Sequence, residues 1–394
     1  MVFLNDLGII CALGVNKIAV SQNLLHADGQ EFLSHFDING EEIQGFYTGR
    51  VTQELDNIDD LSNTYISRNN RLLFHAYREI ERTFQTLRVD IPDERIAVVL
   101  GTSTSGIKEG ELARKEFDQT GEFPRDYSYS KQEMAAPSEY LAITANIKGP
   151  AYTISTACSS SAKALASAKS LIDADIADIV LCGGVDTLSE LPLRGFYSLQ
   201  STAKKYCNPF SKERDGINLG ESATLFVMSK HESDICLKGF GESSDAYHIS
   251  APDPEGAGAK LAIYKAMSAA GLEPEHIDYV NLHGTGTIKN DEIEAQVVSD
   301  IFGGKTPVSS TKRFTGHTLG GAGALEAGIL WLLLSKQHNP TSDLPINKSD
   351  FGIDDSLPMI KLANKNSKEL KNLLSNSFAF GGNNIALILG ISGE

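Results

Sequence analysis

The first residue that could do chemistry is Cys158, where a short β-branched run gives way to small residues and then to a helical pattern (Thr-Ile-Ser-Thr-Ala-Cys-Ser-Ser-Ser-Ala-Lys, residues 153–163). The unpaired N–H groups at a helix N-terminus favour a thiolate over a thiol and can make a cysteine nucleophilic. For an isolated cysteine the alternative is a small, buried apolar residue. Which interpretation holds depends on the other reactive side chains of the chain.

Two histidines stand in a comparable setting. His283 ends an apolar run and is followed by Gly-Thr-Gly-Thr, and His317 lies in Thr-Gly-His-Thr-Leu-Gly-Gly, shortly after Lys312. Strand ends that lead into glycine-rich loops are where α/β proteins place binding groups. Taken singly, a histidine is more often a hydrogen-bonded structural residue, and Lys312 alone indicates a solvated surface charge. The glycine-rich segment has neither a Gly-Lys-Ser/Thr ending nor a dinucleotide fingerprint, so a nucleotide site is not indicated.

Composition narrows the class of protein. A chain of 394 residues with 41% hydrophobic content can bury a large core, and its length predicts two domains or two fused halves. Its net charge of −16 would repel nucleic acid and anionic membrane surfaces. The five cysteines lie far apart, which indicates neither a disulfide framework nor a zinc site and fits a reducing cytoplasm. No apolar run is long enough to cross a bilayer, so we expect no membrane insertion.

The order of elements predicts an α/β architecture with largely buried sheets. Strand-like runs alternate with helical stretches: strands at 96–100, 152–155, 179–182, 277–282 and 385–389, helices at 72–83, 162–172 and 260–269. Residues 157–165 and 316–325 both place a reactive side chain before a small-residue helix start. This internal similarity predicts two related halves, residues 1–230 and 231–394, which meet at a charged stretch near residue 230.

Together these segments resemble the β-ketoacyl-acyl-carrier-protein synthases, the elongating condensing enzymes of fatty acid, polyketide and polyene assembly. The resemblance runs nearly end to end and rests on several long motifs in the right order: Thr-Ala-Cys-Ser-Ser (156–160), Asn-Pro-Phe-Ser-Lys-Glu-Arg-Asp-Gly (208–216), His-Gly-Thr-Gly-Thr (283–287), Ser-Thr-Lys (310–312), Gly-His-Thr-Leu-Gly (316–320) and Asn-Ser-Phe-Ala-Phe-Gly-Gly-Asn-Asn (376–384). It implies a thiolase-like fold of two pseudo-symmetric βαβαβαββ halves in a five-layer αβαβα sandwich. It also implies a dimer, usually of identical chains, although a heterodimer with a related subunit is an alternative.

The resemblance implies a decarboxylative Claisen condensation. The Cys158 thiolate takes an acyl chain from its carrier-protein thioester, and the backbone N–H groups of Cys158 and Phe380 form the oxyanion hole. Malonyl thioester then loses carbon dioxide, and the resulting enolate attacks the acylated cysteine. His283 and His317 would stabilise the developing charge as hydrogen-bond donors. No metal or other cofactor is expected, because the substrates arrive on the phosphopantetheine arm of acyl-carrier protein.

Further residues take supporting roles by the same resemblance. The Lys312 ammonium would bias the electrostatics of the site, and the Glu294 carboxylate would hold it in position. Thr285 and Thr287 resemble the hydroxyls that grip the pantetheine arm. Asp291 is expected to be a solvated acid in the first turn of a helix.

Docking of an acidic carrier protein requires cations despite the negative net charge. Arg68 and Arg71, at a helix start, match the docking region of the family, and Lys204 and Lys205 are further candidates. Ordinary exposed charge is the alternative interpretation for all four side chains.

Three positions depart from the family pattern. Ala379 stands where relatives have glycine, and its Cβ should restrict the gate formed by Phe380. Thr104 falls near the position that limits chain length, and its hydroxyl would either meet the acyl chain or bond internally and face away. Ser222 also replaces a usual glycine. As an alternative function, the chain could be the non-catalytic chain-length subunit of a paired ketosynthase, but such subunits typically lack the nucleophile that Cys158 provides.

Overall fold

The protein, seen here in a computed structural model, is described over residues 1–27, 30–36, 46–58, 63–364 and 368–393. Its first half alternates strands and helices along the chain. The strands are β1 (Phe3–Ile10), β2 (Ser34–His35), β3 (Tyr47–Thr48), β4 (Ile96–Gly101), β5 (Ala151–Ile154), β6 (Ile179–Asp186) and β7 (Ser222–Ser229). The helices are α1 (Lys17–Leu25), α2 (Arg68–Leu87), α3 (Ile107–Thr120), α4 (Ala136–Thr144), α5 (Ser160–Asp173) and α6 (Glu190–Ser198).

The second half repeats this alternation. Its strands are β8 (Ile235–Ser244), β9 (Tyr279–Asn281), β10 (Pro307–Ser309), β11 (Lys361–Leu362), β12 (Asn372–Ala379) and β13 (Asn383–Ile391). Its helices are α7 (Ala257–Ala270), α8 (Ile288–Phe302), α9 (Lys312–Thr315) and α10 (Ala322–Leu334). Every strand and helix that the sequence patterns indicate is present, with boundaries that differ by a few residues.

The main sheet has an internal two-fold order. Its strands run β11-β10-β9-β12-β13-β8-β1-β7-β6-β4-β5, with β1 and β8 adjacent at the centre. Two sets of five strands lead outward from that centre with the same order and the same directions. The first set is β1, β7, β6, β4 and β5, and the second is β8, β13, β12, β9 and β10. With α2, α4 and α5 in one set and α7, α8 and α10 in the other, each set reads βαβαβαββ. We keep residues 1–230 and 231–394 as the proposed limits of the two halves.

The helices complete five layers. Helices α5 and α10 pack against each other between the two sets of strands, while α2 and α4 cover the outer face of the first set and α7 that of the second. The α/β sandwich expected from the sequence is therefore confirmed. No helix in the described ranges is long and apolar enough to span a membrane.

Local sequence explains why the outer and inner helices differ. In α2, Leu72, Ala76, Ile80 and Phe84 recur every four residues and form one buried face, while the Ser67 side chain accepts the N–H of Asn70 and caps the helix. In α10 nearly every residue is buried, because this helix lies between the two sets of strands and needs no polar face.

Candidate active site

The predicted reactive residues follow the carboxyl ends of parallel strands. Cys158 comes after β5, and His283, Lys312 and Phe380 come after β9, β10 and β12. Strand β5 lies parallel to its neighbour β4, and β9 lies parallel to both β10 and β12. Parallel strands end at the same edge of a sheet, where α/β proteins commonly bind ligands. The two halves thus each supply part of one site.

A sharp turn presents Cys158 to this site. The preceding residue, Ala157, has a φ of 52°, a left-handed conformation that costs a non-glycine residue about 1–2 kcal/mol. The turn is held by Ser160, whose hydroxyl donates to the Ala157 carbonyl at 2.6 Å. Gly101 lets the start of α5 approach the sheet, since a Cβ there would lie 2.2 Å from the Ser161 nitrogen. Backbone strain and close packing together aim the sulfur into the site.

Cys158, His283 and His317 form a compact group. The Sγ atom of Cys158 lies 2.9 Å from Nε2 of His317. The two imidazole rings are perpendicular, with centroids 5.4 Å apart. One donor atom from each of the three side chains lies within 4.8 Å of the other two, and all three residues are buried. The sequence predicted this grouping, and the structure brings the three residues together.

The resting state of Cys158 differs from the sequence-based expectation. Burial raises the pKa of its thiol to about 11, although the Lys312 ammonium and the backbone N–H groups of Phe380 and Cys158 act in the opposite direction. Desolvation of the anion therefore outweighs the Lys312 cation and the two backbone N–H groups, which favours the thiol at neutral pH. The thiol must lose its proton during the reaction.

Both imidazoles are neutral. Burial, assisted by the Lys312 cation, lowers the pKa of His283 and of His317 well below the usual value. Among the described residues, neither Nδ1 atom has a hydrogen-bond partner. Because no protein group holds Nδ1, the proton of each neutral ring is not confined to one nitrogen. Each Nε2 can therefore act as an acceptor or as a donor.

Glu326, rather than Glu294, holds the Lys312 ammonium, which corrects the sequence prediction. Lys312 Nζ donates to the Glu326 carboxylate in a fully buried ion pair. Residue 326 lies one helical turn inside α10, and only the packing of α10 beside α9 brings its side chain to Lys312. The sequence feature that could have identified Glu326 is a lone carboxylate in an otherwise apolar helix, since a buried charge requires a partner.

Glu294 instead clamps the backbone beside His283. Its carboxylate accepts the N–H groups of His283 and Gly284, each at 2.7 Å. Asp291 is also buried, against the expectation of a solvated acid, and accepts the N–H of Phe210 at 2.8 Å. Burial raises the pKa of Asp291 to about 7. Both carboxylates serve to position the loop that carries His283.

The loop after β12 supplies the second backbone donor. The Phe380 N–H lies close enough to the Cys158 sulfur to stabilise its anion. Ala379 has φ −106° and ψ 154°, an extended conformation open to any residue, whereas Gly381 and Gly382 have φ values of 81° and 74°. The freedom that only glycine provides is therefore used at Gly381 and Gly382, and the Ala379 Cβ imposes no strain on this conformation.

A cavity of about 250 Å³ leads from the surface to these groups. Cys158, His283, His317 and Phe380 line it, and so do the predicted substrate residues Thr285, Thr287 and Ala379. Along residues 285–289 of the lining, the exposed fraction of the side chains rises toward the surface. Thr285 is buried, Thr287 is half-buried, and Lys289 is exposed at the mouth of the cavity. No sequence motif marks Lys289, because an isolated lysine is typical of any protein surface.

Thr104 does not supply a hydroxyl to this cavity. Its hydroxyl donates to Asp186 Oδ1 at 2.7 Å, and the side chain is buried. Asp186 also accepts the Thr102 hydroxyl at 2.5 Å and the Ser103 hydroxyl at 2.8 Å. A buried carboxylate needs such donors, so these hydroxyls bond internally, and of the two roles considered for Thr104 the internal one applies.

The four docking candidates separate into two groups. Arg68 is used internally, because its guanidinium donates to both oxygens of the buried Glu221, at 2.6 and 3.0 Å, and to the Val51 carbonyl. The guanidinium is therefore already engaged by internal partners, and a docking role for Arg68 stays a prediction. Lys204 and Lys205 are exposed in the loop after α6, and Arg71 is half-buried on α2. Docking by these three residues stays a prediction.

The comparisons with known proteins agree with this geometry. Residues 30–233 match the family model described as the N-terminal domain of β-ketoacyl synthase, and residues 235–343 match the model of its C-terminal domain. The chain is 30% identical over 369 residues to 3-oxoacyl-[acyl-carrier-protein] synthase 2 of Staphylococcus aureus, with 87% of each chain covered. It is 35% identical over 273 residues to the enzyme of that name from Coxiella burnetii, with 64% of each covered.

Among solved structures, the chain is similar to a ketosynthase (ApeO) in complex with its chain length factor (ApeC) from Xenorhabdus doucetiae. That match has a TM-score of 0.92 and 43% identity, and it covers 99% of this chain and 98% of the other. A β-ketoacyl synthase from Burkholderia phymatum, 24% identical with a TM-score of 0.85, shares the fold. With both family models matched and with Cys158, His283, His317 and Lys312 in one site, the chain belongs to the β-ketoacyl synthase family.

Proposed function

We propose that the protein catalyses a decarboxylative Claisen condensation between an acyl chain held on Cys158 and a malonyl group carried by acyl-carrier protein. The main support is the grouping of a thiol, two neutral imidazoles and two backbone N–H donors around one cavity. The names of the relatives agree with this reaction. The complete site speaks against the alternative of a non-catalytic chain-length subunit.

In the first half-reaction the Cys158 S–H bond breaks and a bond forms between sulfur and the acyl carbon. The bond from that carbon to the carrier thiol breaks in turn, and the proton ends on the leaving sulfur. His317 Nε2, 2.9 Å from Sγ, is within reach to relay this proton. The N–H groups of Cys158 and Phe380 stabilise the tetrahedral oxyanion.

In the second half-reaction the bond between the malonyl carboxylate and its neighbouring carbon breaks. Carbon dioxide leaves, and the electron pair forms an enolate. His283 and His317 donate from Nε2 to the enolate oxygen, which suits neutral imidazoles, since their pKa values are well below the usual range. The enolate carbon bonds to the acyl carbonyl carbon, the bond from that carbon to the Cys158 sulfur breaks, and the departing thiolate takes up a proton from solvent.

The reaction uses no cofactor of the protein's own in this proposal, because both substrates come on the phosphopantetheine arm of the carrier. The arm carries hydroxyl and amide groups and ends in a phosphodiester. Thr285 and Thr287 offer hydroxyls along the cavity, and the exposed Lys289 offers a cation at its mouth. These three residues match the polarity of the arm from its thiol end to its phosphate end.

Cys158→Ala is expected to abolish the acyl adduct, because the substitution removes the attacking sulfur. Intact-protein mass spectrometry after incubation with a panel of acyl-carrier thioesters measures the adduct. Cys236→Ser, at a buried cysteine of β8 that approaches the Gly390 carbonyl, is the matched control and should acylate normally. An adduct that persists in folded Cys158→Ala, or a native chain that never acylates, would reject the proposed reaction.

Lys289→Gln is expected to raise KM for carrier-bound substrate about fivefold with little change in kcat, the effect of losing about 1 kcal/mol at an exposed ionic contact. The measurement is steady-state condensation with acyl- and malonyl-carrier protein. With thioesters of pantetheine, which lack the phosphate, the native protein and Lys289→Gln should have the same KM. Lys336→Gln, at an exposed lysine paired with Glu369, is the control. Equal KM values for native protein and Lys289→Gln would contradict the assignment.

The assembly proposed here is a dimer through β5, with a related chain-length subunit as the second chain. Strand β5 ends the sheet and, within the described ranges, pairs only with β4. Large apolar side chains are exposed on α4, which contacts β5, and on the segment before α4, among them Ile143, Tyr129 and Met134. An unpaired edge beside apolar surface indicates a protein partner. The similar ketosynthase ApeO was solved in complex with its chain length factor, and this similarity favours a heterodimer over a homodimer for the present chain. Native mass spectrometry of the chain with and without such a subunit tests this.

A further inference from the structure

The three reactive side chains also form the donor set of a transition-metal site. A thiolate and two imidazoles bind zinc and cobalt(II), and three protein ligands with one open position are typical of accessible zinc sites. The sequence showed no such site, because its cysteines and histidines lack metal-ligand spacing. Residues 158, 283 and 317 come together only through the fold.

The distances allow one metal ion to reach all three ligands. The donor atoms lie within 4.8 Å of one another, so an ion at the centre of the widest such triangle would be about 2.8 Å from each atom. Bonds of about 2.0–2.3 Å then require each side chain to move by less than about 1 Å. The fourth position faces the cavity of about 250 Å³, through which an ion and its water can enter.

The charge that the bound ion adds to the site is small. The Lys312 ammonium is paired with Glu326, so this buried pair carries no net charge. A zinc ion bound to one thiolate contributes one positive charge in place of the two of the free ion, which lowers the cost of burying it.

We propose that the free enzyme binds zinc through Cys158, His283 and His317, and that this metal is a reversible inhibitor of acyl loading. On binding, the S–H bond of Cys158 breaks, a bond between sulfur and zinc forms, and the proton goes to solvent. The ion then occupies the atoms that the condensation requires. Once Cys158 is acylated it cannot form a thiolate, so the acyl-enzyme should not bind zinc at this site.

Cobalt(II) tests the site on the purified chain without any turnover. Titration should produce the near-ultraviolet absorption band of a thiolate bound to cobalt. Cys236→Ser should retain the band, and Cys158→Ala should lose it. His283→Ala and His317→Ala should each weaken cobalt binding by more than about 100-fold, the upper range seen when only the outer partners of a metal ligand are lost. A native protein without the band, or a band unaffected by both histidine changes, overturns the proposal.

Alkylation of the native protein gives a second test that needs no variant. Saturating zinc should slow the reaction of Cys158 with iodoacetamide at least about tenfold, and a chelator should restore the rate. Zinc added before the acyl-carrier thioester should block the adduct, whereas zinc added after it should leave the adduct unchanged. An unprotected Cys158 rejects the site. Alkylation and the cobalt band do not depend on condensation. A negative result in these two tests would reject the metal site without rejecting the proposed reaction, and loss of the reaction would not reject the metal site.

Discussion

Replacing Glu326 with glutamine should lower the free energy of unfolding by about 3–5 kcal/mol, because it leaves a buried ammonium without its counter-charge. Lys312 and Glu326 are each 2% exposed, so water cannot take over the role of the missing carboxylate. Chemical denaturation followed by circular dichroism measures the change. The effect should be among the largest of any single substitution in this chain, although residue 326 belongs to none of the recognised motifs.

Two further variants separate the buried charge from simple loss of contacts. Glu369→Gln breaks an exposed pair with Lys336 and should leave the free energy of unfolding nearly unchanged, because water solvates both partners. The double variant Lys312→Met, Glu326→Leu removes both charges and should be more stable than Glu326→Gln, because burying an apolar pair avoids desolvating an ion. Equal destabilisation by Glu326→Gln and by the double variant would mean that packing, and not the unpaired charge, explains the loss.

His283→Ala and His317→Ala should differ in the step that they impair. His317 contacts the Cys158 sulfur, so its loss should slow both acyl loading and condensation. The His283 ring lies beside His317, with ring centroids 5.4 Å apart, and its loss should spare acyl loading while lowering the condensation rate about 10²–10³-fold, as for loss of an oxyanion donor. Intact mass follows acyl loading, and release of carbon dioxide from malonyl-carrier protein follows decarboxylation.

The control for these variants is His338→Ala, at a half-buried histidine that lies beside Trp331 and away from the cavity. It should leave both half-reactions near the native rate. If His283→Ala abolished acyl loading as completely as His317→Ala does, the two imidazoles would act as one unit in proton transfer. The division of roles proposed here would then be incorrect.

Cys158, His283 and Lys312 could be placed at the site from the sequence because each lies in a short local pattern. A strand that ends in a glycine- or serine-rich turn places its next polar residue at the edge of a parallel sheet. These three residues follow β5, β9 and β10, whereas His317 follows α9 and was indicated by the Gly-His-Thr-Leu-Gly motif that contains it. The alternation of strands and helices indicated the α/β sandwich for the same reason, since periodicity is a local property.

The partners of those groups could not be read in this way. Glu294 and Glu326 are both acids on helices near Lys312, and no pattern distinguishes the one that binds the ammonium from the one that binds backbone N–H groups. Arg68 resembled an exposed docking cation until its guanidinium was seen on Glu221, 153 positions away in the chain. Such pairings depend on which helices pack together, which short-range spacing does not encode.

The sequence by itself determined which side chains can react and which strand ends carry them. Only the tertiary structure decided their chemical state. Burial raises the pKa of the Cys158 thiol to about 11 and keeps both imidazoles neutral, so the resting site is uncharged at the atoms that react. Desolvation is a property of everything packed around a group, and it therefore appears only when the two halves of the chain come together.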